Sequence, residues 1–140
     1  MSKFFYNISL PLAVQGTFTY SSDIRLGIGF RVLVDFSNKE RIGVVIKEVD
    51  KPAFKTLKIK KVFDDFEIFN TNELALLHWI SDYYHFPIGQ VIDNFMPPYL
   101  RKANAVELQN NNLVSEAVPD FNLDLTSHQE KAFLALKQLK

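Results

Sequence analysis

Apolar positions recur along this chain with two different periods, and the change from one to the other divides it. Up to about residue 63 the period is that of strands. Residues 3–10 (KFFYNISL) place Phe4, Tyr6, Ile8 and Leu10 on one face, and Pro11 breaks the run. Residues 16–21 (GTFTYS) give a short second strand, with Phe18 on one face and Thr17 and Thr19 on the other. Phe30–Phe36 and Arg41–Val49 are β-branched and aromatic runs flanking Ser37-Asn38-Lys39-Glu40, so they read as a hairpin with a four-residue polar turn. Gly43 inside the second run predicts a bulge or a close backbone approach. A further strand is expected over about Leu57–Phe63.

From residue 70 the period becomes helical. Leu74, Leu77, Ile80 and Tyr84 form one stripe, flanked by Leu76 and Tyr83, with Asn70, Thr71 and Asn72 as candidate N-caps. Pro87 ends that helix. Ile88, Val91, Ile92 and Phe95 outline a second, shorter one that stops at Pro97-Pro98. Residues 104–124 are polar and read as a linker, with short strands at Val106–Leu108 and Leu113–Val114. A last helix starts near Leu125. Thr126 or Ser127 caps it, Glu130 stands three residues after Ser127, and Ala132, Phe133, Leu136 and Leu139 form its stripe. The pattern predicts an α+β fold. A small, strongly twisted, barrel-like antiparallel sheet is braced by a helical pair over residues 1–103; the linker follows, and residues 125–140 are expected to begin another domain of a longer protein.

Composition narrows the chemistry. An apolar share of 47% with 13 phenylalanines fills a core in 140 residues. The absence of cysteine excludes disulfides and cysteine-ligated metal within the chain. No apolar run approaches a membrane span and the N-terminus lacks a secretory pattern, so a cytoplasmic protein without a membrane partner is expected. Net charge is zero, but unevenly spread. Residues 1–62 carry eleven Lys/Arg against five Asp/Glu, and residues 63–140 the reverse. The basic half is suited to a polyphosphate.

Catalytic patterns are absent. No GxxxxGK[ST] loop occurs, and His78, His85 and His128 lack metal-ligand spacing. Asp64-Asp65 reads as a turn, Arg31 and Arg41 as partners of Asp35 or Glu40 across the hairpin, and Tyr83-Tyr84 as packing against the sheet. No enzymatic activity is expected of this chain alone.

Several short motifs occur in order: Leu10-Pro11-Leu12, Gly16-Thr17-Phe18-Thr19-Tyr20, residues 29–36 (GFRVLVDF), Arg41-Ile42-Gly43-Val44-Val45, Asp82-Tyr83-Tyr84, Pro87-Ile88-Gly89-Gln90-Val91 and Met96-Pro97-Pro98. The series resembles the N-terminal DNA-binding region of the PriA family of primosomal replication-restart helicases. The resemblance implies a module that binds the 3′ end of a nascent leading strand at a stalled fork, and DNA, the helicase core of the same protein and primosome proteins as partners. ATP, Mg and Zn belong to the rest of the parent helicase; no cofactor is implied in this chain. The family's 3′-end pocket falls on Phe18, Thr19, Tyr20 and Ser37, and on Lys58 with Lys60 as the alternative. Thr19 replaces a frequent Asp, and Ser37 a frequent Gly. Residues 125–133 (LTSHQEKAF) resemble the opening of the helicase core, where Gln129 would contact nucleotide, or else the first helix of a winged-helix domain. A protein-interaction module docking the helicase core or primosome partners is the alternative reading.

Overall fold

A computed structural model describes residues 3–103 and 126–137. The chain divides into two compact units, residues 1–107 and 108–140.

In the first unit six strands form one curled sheet: β1 (Phe4–Ser9), β2 (Phe18–Ser22), β3 (Arg31–Phe36), β4 (Lys39–Val49), β5 (Leu57–Lys58) and β6 (Lys61–Val62). Their order across the sheet is β5-β2-β1-β4-β3-β6. The expected α+β fold is therefore present, a half-barrel followed by helices, with one departure: β2 and β5 pair in parallel. The run expected as one strand over Leu57–Phe63 is split. Its first half hydrogen-bonds to β2 and its second half to β3, the strands on opposite sides of the sheet. Ile59 N donates to Ser21 O at 2.9 Å and Lys60 N to Leu33 O at 2.8 Å. This strap ties the two sides of the curl together.

The hairpin turn is shorter than expected. Only Ser37 and Asn38 form it, both left-handed (φ 50° and 61°), as the two-residue turn that matches strand twist requires. Lys39 and Glu40 are strand residues opposite Phe36 and Asp35. At Gly43 the close approach, not a bulge, is realised: a Cβ there would collide with Ile8, Leu10 and the Ser9 carbonyl. The bulge falls three residues on, where the register between Asn7–Ile8 and Lys47–Val45 skips Ile46.

Strand alternation creates two cores. Tyr6, Ile8, Leu10, Tyr20, Val32, Val34, Val45 and Ile59 fill the inside of the curl. Val44, one residue from Val45, points the other way and packs with Leu74, Leu77, Ile88, Val91, Ile92 and Met96 of the helical brace. That brace is α1 (Thr71–Tyr84) and α2 (Ile88–Phe95). Asn70 is the N-cap of α1 and forms a capping box with Glu73; His85, left-handed, closes its C-terminus. The buried stripe of α1 is Leu74, Leu77 and Ser81, not one that reaches Tyr84. Tyr83 and Tyr84 are 65% and 67% exposed, so the expected packing of this pair on the sheet does not occur. Phe95 is likewise exposed, and Met96 takes its place in the core. Gly89 lets α2 lie directly on β1, because a Cβ there would overlap the Leu10 carbonyl oxygen.

Arg31 and Asp64 also differ from expectation. Arg31 does not pair across the hairpin, and Asp64 is not merely a turn residue. Arg31 Nε and Nη2 donate to the two Asp64 carboxylate oxygens at 2.6 Å each, and Nη1 donates to Leu100 O at 2.7 Å. Neither side chain exposes any surface. One buried guanidinium thus holds β3, the segment after β6 and the end of the brace together.

In the second unit α3 (Ser127–Lys137) starts at Thr126. Its capping box is Thr126 with Gln129, rather than Ser127 with Glu130: Gln129 N donates to Thr126 Oγ1 at 3.4 Å, and Thr126 N to Gln129 Oε1 at 3.0 Å. The expected strands at Val106–Leu108 and Leu113–Val114, and the stripe residue Leu139, lie outside the described residues.

Candidate nucleic-acid interface

The first turn of β2 and the tip of the β3–β4 hairpin meet at one end of the curl. Phe18 packs edge-on against Phe36, with ring centroids 4.7 Å apart at an interplanar angle of 64°. Both rings are half-buried. Tyr20 follows on the same face and is buried, and its hydroxyl donates to the Asp35 carbonyl at 2.9 Å. Burial, and secondarily the Asp35 charge, push its phenol pKa above the ordinary value. Its ring is therefore core, and its hydroxyl props the residue from which the Ser37-Asn38 turn departs. Thr19 points to the opposite face, where its hydroxyl donates to Asn7 Oδ1 at 2.9 Å.

The two candidate lysines occupy different surroundings. Lys60 Nζ contacts Asp35 Oδ1 at 2.7 Å and Glu40 Oε1 at 3.0 Å. Hydrogen bonds to Asp35 and then Glu40 raise its pKa above the usual lysine value. Lys58 instead pairs with Asp23, whose carboxyl it holds below the ordinary range chiefly through that hydrogen bond. Both lysines, with Lys61, line one open cleft of about 380 Å³ that also includes Ser22, Asp23 and Ile24. Lys61 lies over the Phe63 ring at 5.3 Å.

The structure thus gathers Phe18, Tyr20, Ser37 and Lys60 around the dipeptide Asp35–Phe36. Lys58 stands farther along the same strap, and Thr19 faces away. Phe36, Asp35 and Glu40 are the neighbours that sequence reading missed. A signal for the last two was available. A two-residue turn sets Asp35 directly opposite Glu40, and two like charges so placed call for a cation between them. Gln129 lies in the other unit, where its side-chain oxygen accepts from Thr126 N and Oγ1.

A curled sheet with a lysine-lined cleft and an aromatic pair beside a tight turn defines a small module suited to single-stranded nucleic acid. Residues 7–97 match the PriA family model described as the 3′ DNA-binding domain (3′BD). The chain is 31% identical over 108 residues to replication restart protein PriA of Buchnera aphidicola subsp. Schizaphis graminum, covering 74% of this chain and 15% of that protein. It is 33% identical over 100 residues to PriA of Buchnera aphidicola subsp. Acyrthosiphon pisum, covering 66% and 14%. PriA of Rickettsia conorii is 32% identical over 137 residues, covering 94% and 20%. The chain belongs to the PriA 3′ DNA-binding domain family. It spans a fifth or less of the length of these relatives. Among the described residues, no helix is long and apolar enough to cross a membrane.

Proposed function

We propose that this chain is the DNA-binding module of a replication-restart helicase, and that it holds the 3′ end of a nascent strand at a stalled fork without reading base sequence. The observation that carries the proposal is the convergence of the Phe18–Phe36 pair, the Ser37 turn and Lys60 at one end of the curl, in a chain of this family. A strand terminus differs from mid-strand in its free hydroxyl and in the missing next phosphate. A surface for the last base, a turn that limits further chain and lysines along the approach supply what that distinction needs. Stacking on an aromatic is indifferent to base identity and contributes about 1–3 kcal/mol per base. The cleft lysines Lys58 and Lys61 meet the phosphates behind the terminus, which makes binding salt-dependent.

The test compares a short fluorescent deoxyoligonucleotide ending in a 3′-hydroxyl with the same strand ending in a 3′-phosphate. The hydroxyl strand binds more tightly; equal affinity overturns the reading.

A second reading is favoured by one observation. Leu76, Trp79, Tyr83 and Tyr84 are exposed on α1, and Trp79 stacks on Tyr83 at 5.1 Å. A face of this kind suits protein docking. The helicase core of the same protein is its proposed occupant, since most of the relatives' length lies outside this chain. ATP, Mg, Zn, the helicase activity and primosome partners are assigned, within this proposal, to that remaining part and to the cytoplasm. Gln129 does not fit a nucleotide site as it stands, because its side-chain oxygen is committed to the helix cap. No step is built on it.

A further inference from the structure

The three strap lysines differ in how far they are neutralised. Among the described residues Lys61 has no carboxylate partner, Lys58 has one and Lys60 has two. Each local unit therefore carries a different net charge: positive at Lys61, near zero at Lys58 and negative at the Asp35–Lys60–Glu40 cluster. A lysine that serves only as a phosphate anchor gains nothing from being saturated by two acids. The negative cluster also lies beside the proposed terminus site. Asp35 accepts the Tyr20 hydroxyl through its backbone carbonyl and adjoins the Phe36 ring that meets Phe18.

We propose that Asp35 and Glu40 are specificity-determining residues: their carboxylates, held in place by Lys60, accept a hydrogen bond from a terminal 3′-hydroxyl and repel a terminal phosphate. The inference rests on the 3′-end reading given above and adds to it the groups that make the distinction. A hydroxyl is a hydrogen-bond donor, and a carboxylate only accepts, so the two are matched. A phosphate is acceptor-rich and anionic, and beside two carboxylates it is excluded by charge. The backbone phosphates behind the terminus meet the less neutralised end of the strap instead. Lys60 is then a clamp that fixes the carboxylates, and its charge keeps two opposed acids from separating the hairpin.

The experiment titrates the full chain and the variants Asp35→Asn, Glu40→Gln and their double mutant with both labelled strands. The substitutions keep side-chain size, and Asp35→Asn leaves the backbone carbonyl that Tyr20 uses. Circular dichroism checks that each variant is folded. In the native chain the hydroxyl strand is preferred by about tenfold or more. Each single variant tightens binding of the phosphate strand, and the double mutant brings the two affinities within about twofold of each other. A double mutant that keeps the native preference overturns the assignment of Asp35 and Glu40 while leaving 3′-end recognition intact. A native chain with no preference overturns both. If the acids only support the fold, both strands weaken together and the ratio stays fixed, which also counts against the inference.

Discussion

Two ion-paired clusters in this domain use the same kinds of side chain for opposite ends. Arg31 and Asp64 meet in full burial, with every printed guanidinium contact at 2.7 Å or less. Lys60, Asp35 and Glu40 meet at the surface, where the lysine side chain keeps 42% of its exposure. Burial makes the first cluster obligatory: removing one partner leaves a charge without water or counter-charge. Exposure makes the second exchangeable, because water can replace any contact that a ligand displaces. The difference teaches that a charged cluster on this fold must be judged by its solvent access before it is given a role. The fixed cluster positions the brace, and the open one is available for chemistry.

The largest expected effect comes from breaking the buried cluster. Arg31→Ala should cost about 3–5 kcal/mol of stability, whereas Lys60→Ala should stay within about 0.5 kcal/mol while weakening DNA binding. Urea unfolding of the two variants, with the labelled-strand titration on each, reads both halves of that contrast. Similar unfolding midpoints would dissolve the distinction between the regions.

A smaller effect is expected at the point where the inner core touches the open cluster. Tyr20→Phe removes the hydroxyl that supports the Asp35 carbonyl. The loss should be about 1 kcal/mol in urea unfolding. An unchanged midpoint would mean that the hairpin tip holds its place without the prop.

The pH dependence of stability is the finest of these contrasts. Asp23 has its pKa lowered in the folded state, mainly by the hydrogen bond from Lys58. Its contribution is therefore present above the ordinary aspartate pKa and fades as pH falls through the lower folded value. Lys60 has its pKa raised, mainly by Asp35 and then Glu40. Its contribution is present below the ordinary lysine pKa and fades as pH rises through the higher folded value. Unfolding midpoints measured against pH should show Asp23→Asn altering the acid limb and Lys60→Ala the alkaline limb. Both effects are small at exposed groups, and a change on the wrong limb would refute the pairing.

Periodicity alone disclosed most of the framework. The alternation Phe4-Tyr6-Ile8-Leu10 and the capped stripe beginning at Leu74 depend on neighbours within a few residues, and both elements stand where the pattern placed them. Legibility failed where a partner comes from far along the chain. Arg31 finds Asp64 thirty-three positions away, and no local spacing announces that pair. Leu57–Phe63 reads locally as one strand; only the curl of the sheet brings its two halves to different partners. Tyr83 and Tyr84 looked like core residues because aromatic residues on a helix usually are, yet the buried face of α1 is completed by Ser81, whose hydroxyl donates to Phe86 O at 2.6 Å. The candidate site was half legible. The motif placed Phe18, Tyr20 and Ser37 near the right turn, but choosing between Lys58 and Lys60 as neighbour of that turn needed the strap's geometry.

That strap has a consequence for behaviour in a crowded solution. A strand at the rim of a sheet presents unpaired amides and carbonyls to any other extended chain, and such rims seed aggregation. Here β2 and β3 are covered by the same short segment, and lysines dominate its exposed side chains. Charge repulsion and hydrogen-bond occupancy thus guard the rim together. A lesion that loosens residues 57–62 would expose two adhesive rims at once, and the protein would stick to its own copies before it lost its core.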